Sequence, residues 1–175
     1  MIGPRGFHPG GLLASAFTSG VYAMNELNRK LEVLTQIAHM LNESQVLWAV
    51  GGSMLLYFKG KTDVFHDIDL MVGERDIEKV KSLLLSIGKL SPENPNVQYK
   101  TRHFLEFNID GVDVDVMAGF VIVKDGKDYD CSLSAEQITE HILLNGEMIP
   151  LQSLSDWRKY YALMGRTAKV EMIDQ

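Results

Sequence analysis

The chain has 175 residues, with 17 Lys and Arg against 23 Asp and Glu, a formal charge of −6 and 46% hydrophobic residues. That length buries a core without staples and leaves little room for two full domains, while the single Cys131 excludes a disulfide framework and, with no Cys/His spacing of zinc type, points to a reducing cytoplasm. No run approaches the ~20 apolar residues of a membrane-spanning helix, and an acidic balance without a Lys/Arg block argues against an extended nucleic-acid footprint.

Residues 1–24 are punctuated by Gly3, Pro4, Gly6, Pro9, Gly10, Gly11 and Gly20 and show neither helical nor strand periodicity, so an irregular N-terminal arm is expected there. Its apolar stretch is too short and glycine-broken for a secretory signal. Residues 25–175 read as one domain, with a core over 45–123 and a helical C-terminal part over 134–175.

From Asn25 the chain becomes regular. Leu27, Leu31, Leu34, Ala38 and Leu41 recur at helical steps and predict an amphipathic helix. Residues 45–50 read as a buried strand, followed at once by Gly51-Gly52-Ser53, a helix over 54–58 and a stop at Gly60. His66 to Val72 alternates and then turns apolar, as a strand entering a core does. Residues 75–87 form a second amphipathic helix. Strands follow over 97–101, 103–109 and 112–117, the last two joined by Asp110-Gly111, a favoured hairpin turn. Another hairpin spans Phe120 to Lys124 and the segment after Asp125-Gly126. Two helices, over 135–144 and 155–164, enclose a short Asn145-Gly146 hairpin, and residues 166–173 form a last helix. There are no internal repeats.

The carboxylates carry the chemistry. Side chains alternate along a strand, so Asp67 and Asp69 share one face while Ile68 and Leu70 take the other. On the later strand Asp113 and Asp115 lie opposite Val112, Val114 and Val116. Clustered like charges cost stability unless a cation joins them, and an oxygen-only donor set suits Mg2+ or Mn2+ better than zinc. The Gly51-Gly52-Ser53 turn supplies the complementary half: backbone that a ligand can approach closely, a hydroxyl, and a helix start, which together favour an anion. A phosphate pocket followed by a carboxylate pair is the layout of metal-assisted phosphoryl or nucleotidyl transfer.

In Gly51-Gly52-Ser53, Asp67-Ile68-Asp69 and Val114-Asp115-Val116 the segment from Trp48 to Phe120 resembles the nucleotidyltransferase superfamily that includes DNA polymerase beta. Within it the chain is most similar to small bacterial aminoglycoside- and lincosamide-type and toxin-like nucleotidyltransferases. The resemblance implies an α+β fold, a mixed β-sheet with helices packed on one side and a short helical C-terminal ending. It also implies a Mg2+-dependent transfer of a nucleoside monophosphate from an NTP to a hydroxyl or phosphate of an acceptor. On that resemblance Asp67, Asp69 and Asp115 ligate metal and are catalytic, and Gly51, Gly52 and Ser53 hold the triphosphate. Lys61 is placed with them. Lys59, His66, Arg166 and Lys169 are weaker candidates around the same pocket, and Asp113 competes with Asp115 on its shared face.

His8, His39, His103 and His141 read as packing or surface residues, since none has a paired second ligand. Trp48 reads as packing, and Trp157 as packing or an acceptor-pocket wall. The alternative to an enzyme is a non-catalytic or regulatory member of the same fold, such as a toxin–antitoxin component or NTP-binding protein. Nucleic acid is a disfavoured acceptor. Only about 60 residues follow Asp115, short of a ~100-residue recognition domain, so a homodimer or a small acceptor is expected.

Overall fold

The computed structural model describes residues 11–93 and 100–175, with backbone alone for residues 11–17. The expectations for residues 1–10, His8 included, and for the start of the strand over 97–101 lie outside the described residues. The elements run α1 (Gly11–Glu43), β1 (Trp48–Val50), α2 (Gly52–Phe58), β2 (Ile68–Val72), α3 (Ile77–Leu85), β3 (Lys89–Leu90), β4 (His103–Ile109) and β5 (Val112–Ala118). They continue with β6 (Val121–Lys124), β7 (Lys127–Asp130), β8 (Ile138–Leu144), β9 (Glu147–Gln152), α4 (Leu154–Leu163) and α5 (Thr167–Asp174).

A seven-stranded mixed sheet has the order β3-β4-β5-β2-β1-β9-β8, and β6 and β7 form a separate hairpin. β2 runs parallel to β5 and β1 parallel to β9, while β1–β2, β3–β4, β4–β5 and β8–β9 are antiparallel. This is the α+β architecture expected from the sequence. Alternation decides the faces: Val112, Val114 and Val116 of β5 are buried, whereas Asp113 is exposed and Asp115 half-buried. The C-terminal half of α1 packs into the core through Val33, Leu34, Ile37, Ala38 and Leu41, each at most 3% exposed. Burial of that stripe holds the helix in place more than intrinsic propensity does. The hairpin turns Asp110-Gly111, Asp125-Gly126 and Asn145-Gly146 have positive φ at both residues, the geometry a two-residue hairpin loop requires.

Two expectations are corrected. Residues 11–24, expected to be irregular, are helical and continue α1 to 33 residues. Within that stretch only Gly20 interrupts the helix interior, at about 1 kcal/mol, and a helix already anchored over 27–41 propagates through good formers such as Leu, Ala and Met. Residues 135–144, expected as a helix, form a short 3-10 turn over Ala135–Gln137 and then strand β8. Ser134 and Gln137 cap that turn reciprocally. Beyond it the Asn145-Gly146 turn pairs β8 with β9, and Ile142 and Leu144 lie half-buried at a period of two. The tertiary partner thus overrides an apolar spacing that fits both periods.

Candidate active site

β1 ends at Val50, and the next residue turns the chain into α2. The Gly51 N–H donates to the Asp69 carbonyl at 3.0 Å, so the turn is fastened to the start of β2. Gly52 has φ +60, and a Cβ there would lie 1.9 Å from Asp69 Oδ2. The Ser53 N–H donates to the Asp69 carboxylate. Glycine is therefore required at residue 52 by both conformation and proximity. A Cβ on Gly51 would fall 2.3 Å from the Trp157 ring. That indole is itself fixed by its Nε1–H donating to Gln152 Oε1 at 2.7 Å and by packing on Phe120, Tyr160 and Tyr161.

Asp69 of β2 and Asp115 of β5 are direct partners in the parallel ladder, and Asp67 precedes β2 on the same face. One carboxylate oxygen from each of Asp67, Asp69 and Asp115 lies within 4.8 Å of the others. Asp113, the competitor for Asp115, is exposed and accepts from Asn108 Nδ2 at 2.9 Å. It lies one pair from the hairpin turn and outside the cluster.

The electrostatics of the cluster are unfavourable as it stands. Burial pushes the Asp69 carboxyl well above the usual carboxylate range, with Asp67 and Asp115 adding to it, while the Ser53 N–H and Arg166 oppose. Asp115 is pushed up to about 7, first by burial and then by Asp67, Glu106 and Asp113. A bound divalent cation would relieve both effects, and the all-carboxylate donor set fits Mg2+ or Mn2+.

A pH dependence follows for the metal-free protein. A carboxyl whose folded pKa is raised takes up its proton before the unfolded chain does, so its cost is fully present above about pH 7 and fades as pH falls toward ~4. With metal chelated, Tm should rise by about 3–6 °C between pH 8 and pH 5.5, corresponding to about 1–2 kcal/mol after solvent screening. His39, whose pKa is raised by Glu147 and Glu43, adds a contribution of the same sign. Asp115→Asn isolates the carboxylate: thermal denaturation of that variant should show a flatter pH profile, and an unchanged profile would contradict the account.

The carboxylates open into a cleft of about 1080 Å³ lined by Gly52, Ser53, His66, Asp67, Asp69, Asp115, Arg166 and Lys169, among others. Lys59 and Lys61 do not line it. Lys59 is paired with Glu140. Arg102, Lys81, Phe120 and Tyr161 also line the cleft and went unnoticed in the sequence. Arg102 is held by Glu74 at 2.7 Å and Asp130 at 3.8 Å, contacts that no local signal announces. Glu106 was legible in principle, because counting outward from the Asp110-Gly111 turn sets it opposite Asp115.

Residues 33–174 match the sequence profile of the family described as aminoglycoside-2''-adenylyltransferase. Among solved structures, a Thermotoga maritima protein assigned as a nucleotidyltransferase is similar with a TM-score of 0.66 at 24% identity, over 84% of this chain and 91% of that one. ANT(2'')-Ia, solved in complex with adenylyl-2''-tobramycin, is similar with a TM-score of 0.57 at 12% identity, over 83% of this chain and 87% of that one. The lincosamide antibiotic adenylyltransferase LnuA, solved with lincomycin, gives a TM-score of 0.54 at 13% identity, over 81% and 94%. At these identities the likeness is one of fold. No curated protein sequence matches the chain.

Proposed function

Because the chain belongs to the aminoglycoside-2''-adenylyltransferase family of nucleotidyltransferases, we propose that it moves a nucleoside monophosphate from an NTP to a hydroxyl or phosphate of a small-molecule or protein acceptor, with Mg2+ or Mn2+. The observation that carries this reading is the convergence of Asp67, Asp69 and Asp115 within 4.8 Å, in one cleft with Gly52 and Ser53. When bound, divalent ions would neutralise phosphate oxygens and support in-line attack. The chain's own residues supply the rest. The Gly51–Gly52 backbone and the Ser53 hydroxyl hold the triphosphate, with Arg166 and Lys169 meeting its charge. Asp67 and Asp69 form the anionic floor, and Asp115 accepts or orients the acceptor's proton. The acceptor oxygen forms a bond to the α-phosphorus, the bond to pyrophosphate breaks, and the acceptor's proton leaves.

The cleft volume of about 1080 Å³ lies just above the ~300–1,000 Å³ of single-ligand pockets, which favours a small acceptor bound beside the nucleotide. Calorimetric titration of each NTP should show binding that requires Mg2+, and pyrophosphate release should then identify acceptors. Absence of NTP binding to folded protein would support the non-catalytic alternative.

The reading includes a cytoplasmic homodimer. No described helix is long and apolar enough to cross a membrane. Val21, Tyr22 and Met24 of α1 are exposed, at 40%, 71% and 59%, an apolar surface suited to the same helix of a second copy. Light scattering at micromolar concentration should give twice the chain mass, and a monomeric mass would remove the dimer.

A further inference from the structure

Lys30 is a cation in an apolar place. It is 8% exposed on α1, between Leu27 and Leu31 and beside Val33 and Leu34, where a leucine would cost less to bury. Its ammonium is matched by three groups. Nζ donates to the Phe65 carbonyl at 2.9 Å, lies 5.3 Å from the centre of the Phe65 ring, and pairs with Glu26 Oε1 at 3.0 Å. Glu26 is largely exposed, so the buried part of the arrangement is the bond to Phe65.

Phe65 belongs to the segment between α2 and β2, which has no helix or strand of its own. Within it Val64 is 60% exposed and Phe65 3%, so the chain turns inward at the residue that Lys30 holds. Val64, Phe65, His66 and Asp67 all line the cleft, and Asp67 follows Phe65 by two residues. At that separation a displaced carbonyl moves the Asp67 backbone with it.

We propose that Lys30 is a positioning residue for the reaction: it clamps the Phe65 carbonyl to α1 and thereby sets the place of Asp67 against Asp69 and Asp115. The inference rests on the nucleotidyl-transfer reading of the site. The energetic logic is that a charge-assisted hydrogen bond to a buried carbonyl offsets the cost of desolvating the ammonium, and what it secures is the geometry of a carboxylate that must meet two others.

Lys30→Met and Lys30→Arg test this. Three quantities are read at a temperature well below each variant's Tm: Mn2+ affinity from the free-ion electron paramagnetic resonance signal, amide hydrogen exchange of the peptide over residues 61–67, and pyrophosphate release resolved into kcat and KM. Lys30→Met should weaken Mn2+ binding about tenfold, speed exchange in that peptide and lower kcat by a similar factor. Lys30→Arg should restore most of each. A purely structural role would lower Tm and leave Mn2+ affinity and kcat of the folded protein unchanged, which would overturn the proposal. Should Lys30→Met not fold, Lys30→Gln carries the same comparison. If wild type binds no Mg2+-NTP, the functional reading fails by itself. The exchange and Mn2+ measurements still decide whether Lys30 positions Asp67.

Discussion

Asp69→Asn should abolish metal-dependent nucleotide binding while leaving the metal-free fold at least as stable as wild type. The amide keeps an oxygen that can accept the Ser53 N–H but carries no charge, so burial no longer penalises it and its repulsion with Asp67 and Asp115 disappears. The same change removes one of three carboxylates that meet within 4.8 Å. Calorimetry should show NTP affinity in Mg2+ falling at least about 100-fold, and turnover should fall about 1,000-fold or more, some 4 kcal/mol of transition-state stabilisation. Asp67→Asn should lose nucleotide binding in the same way. Marked destabilisation of either metal-free variant would instead assign that carboxylate a structural hydrogen-bonding role.

Gly52→Ala should damage both the fold and the site. The added Cβ would meet Asp69 Oδ2 at 1.9 Å while the backbone stays at φ +60, so the variant must accept left-handed strain and also displace either the turn or the carboxylate. The strain alone is about 1–2 kcal/mol. With the displacement the loss should reach about 2–4 kcal/mol, or about 6–12 °C in Tm, accompanied by loss of Mg2+-NTP binding. Gly60→Ala provides the comparison, because Gly60 has φ +68 with nothing within 4 Å of its would-be Cβ. It should show the strain cost without the loss of binding. Equal behaviour of the two variants in thermal denaturation and titration would mean that the turn does not lie against Asp69 as described.

These two results concern parts of the site that were legible in the sequence. Strand alternation is local, so the shared face of Asp67 and Asp69, and that of Asp113 and Asp115, could be read directly. The Asp110-Gly111 turn carries its own backbone requirement, and it fixes the register that sets Glu106 opposite Asp115. The Gly51-Gly52-Ser53 turn was recognisable as a close-approach site, although what approaches Gly52 in this structure is Asp69 and what approaches Gly51 is Trp157. The choice between Asp113 and Asp115 needed the fold. Both alternate to the same side, and only the pairing of β5 with β2 on one edge and β4 on the other sets Asp115 beside Asp69 and leaves Asp113 with Asn108.

By itself, then, the sequence determined the hairpin turns, the acidic faces and the glycine turn, since each is encoded within a few residues by steric and alternation rules, and the α+β class followed from the family resemblance that those motifs carry. The tertiary structure alone decided that residues 138–144 are a strand, that Lys59 pairs with Glu140, and that Lys30 reaches Phe65. In each of these the deciding partner lies far along the chain. Local periodicity leaves more than one low-energy choice open, and the free energy of burying or pairing that distant partner selects among them.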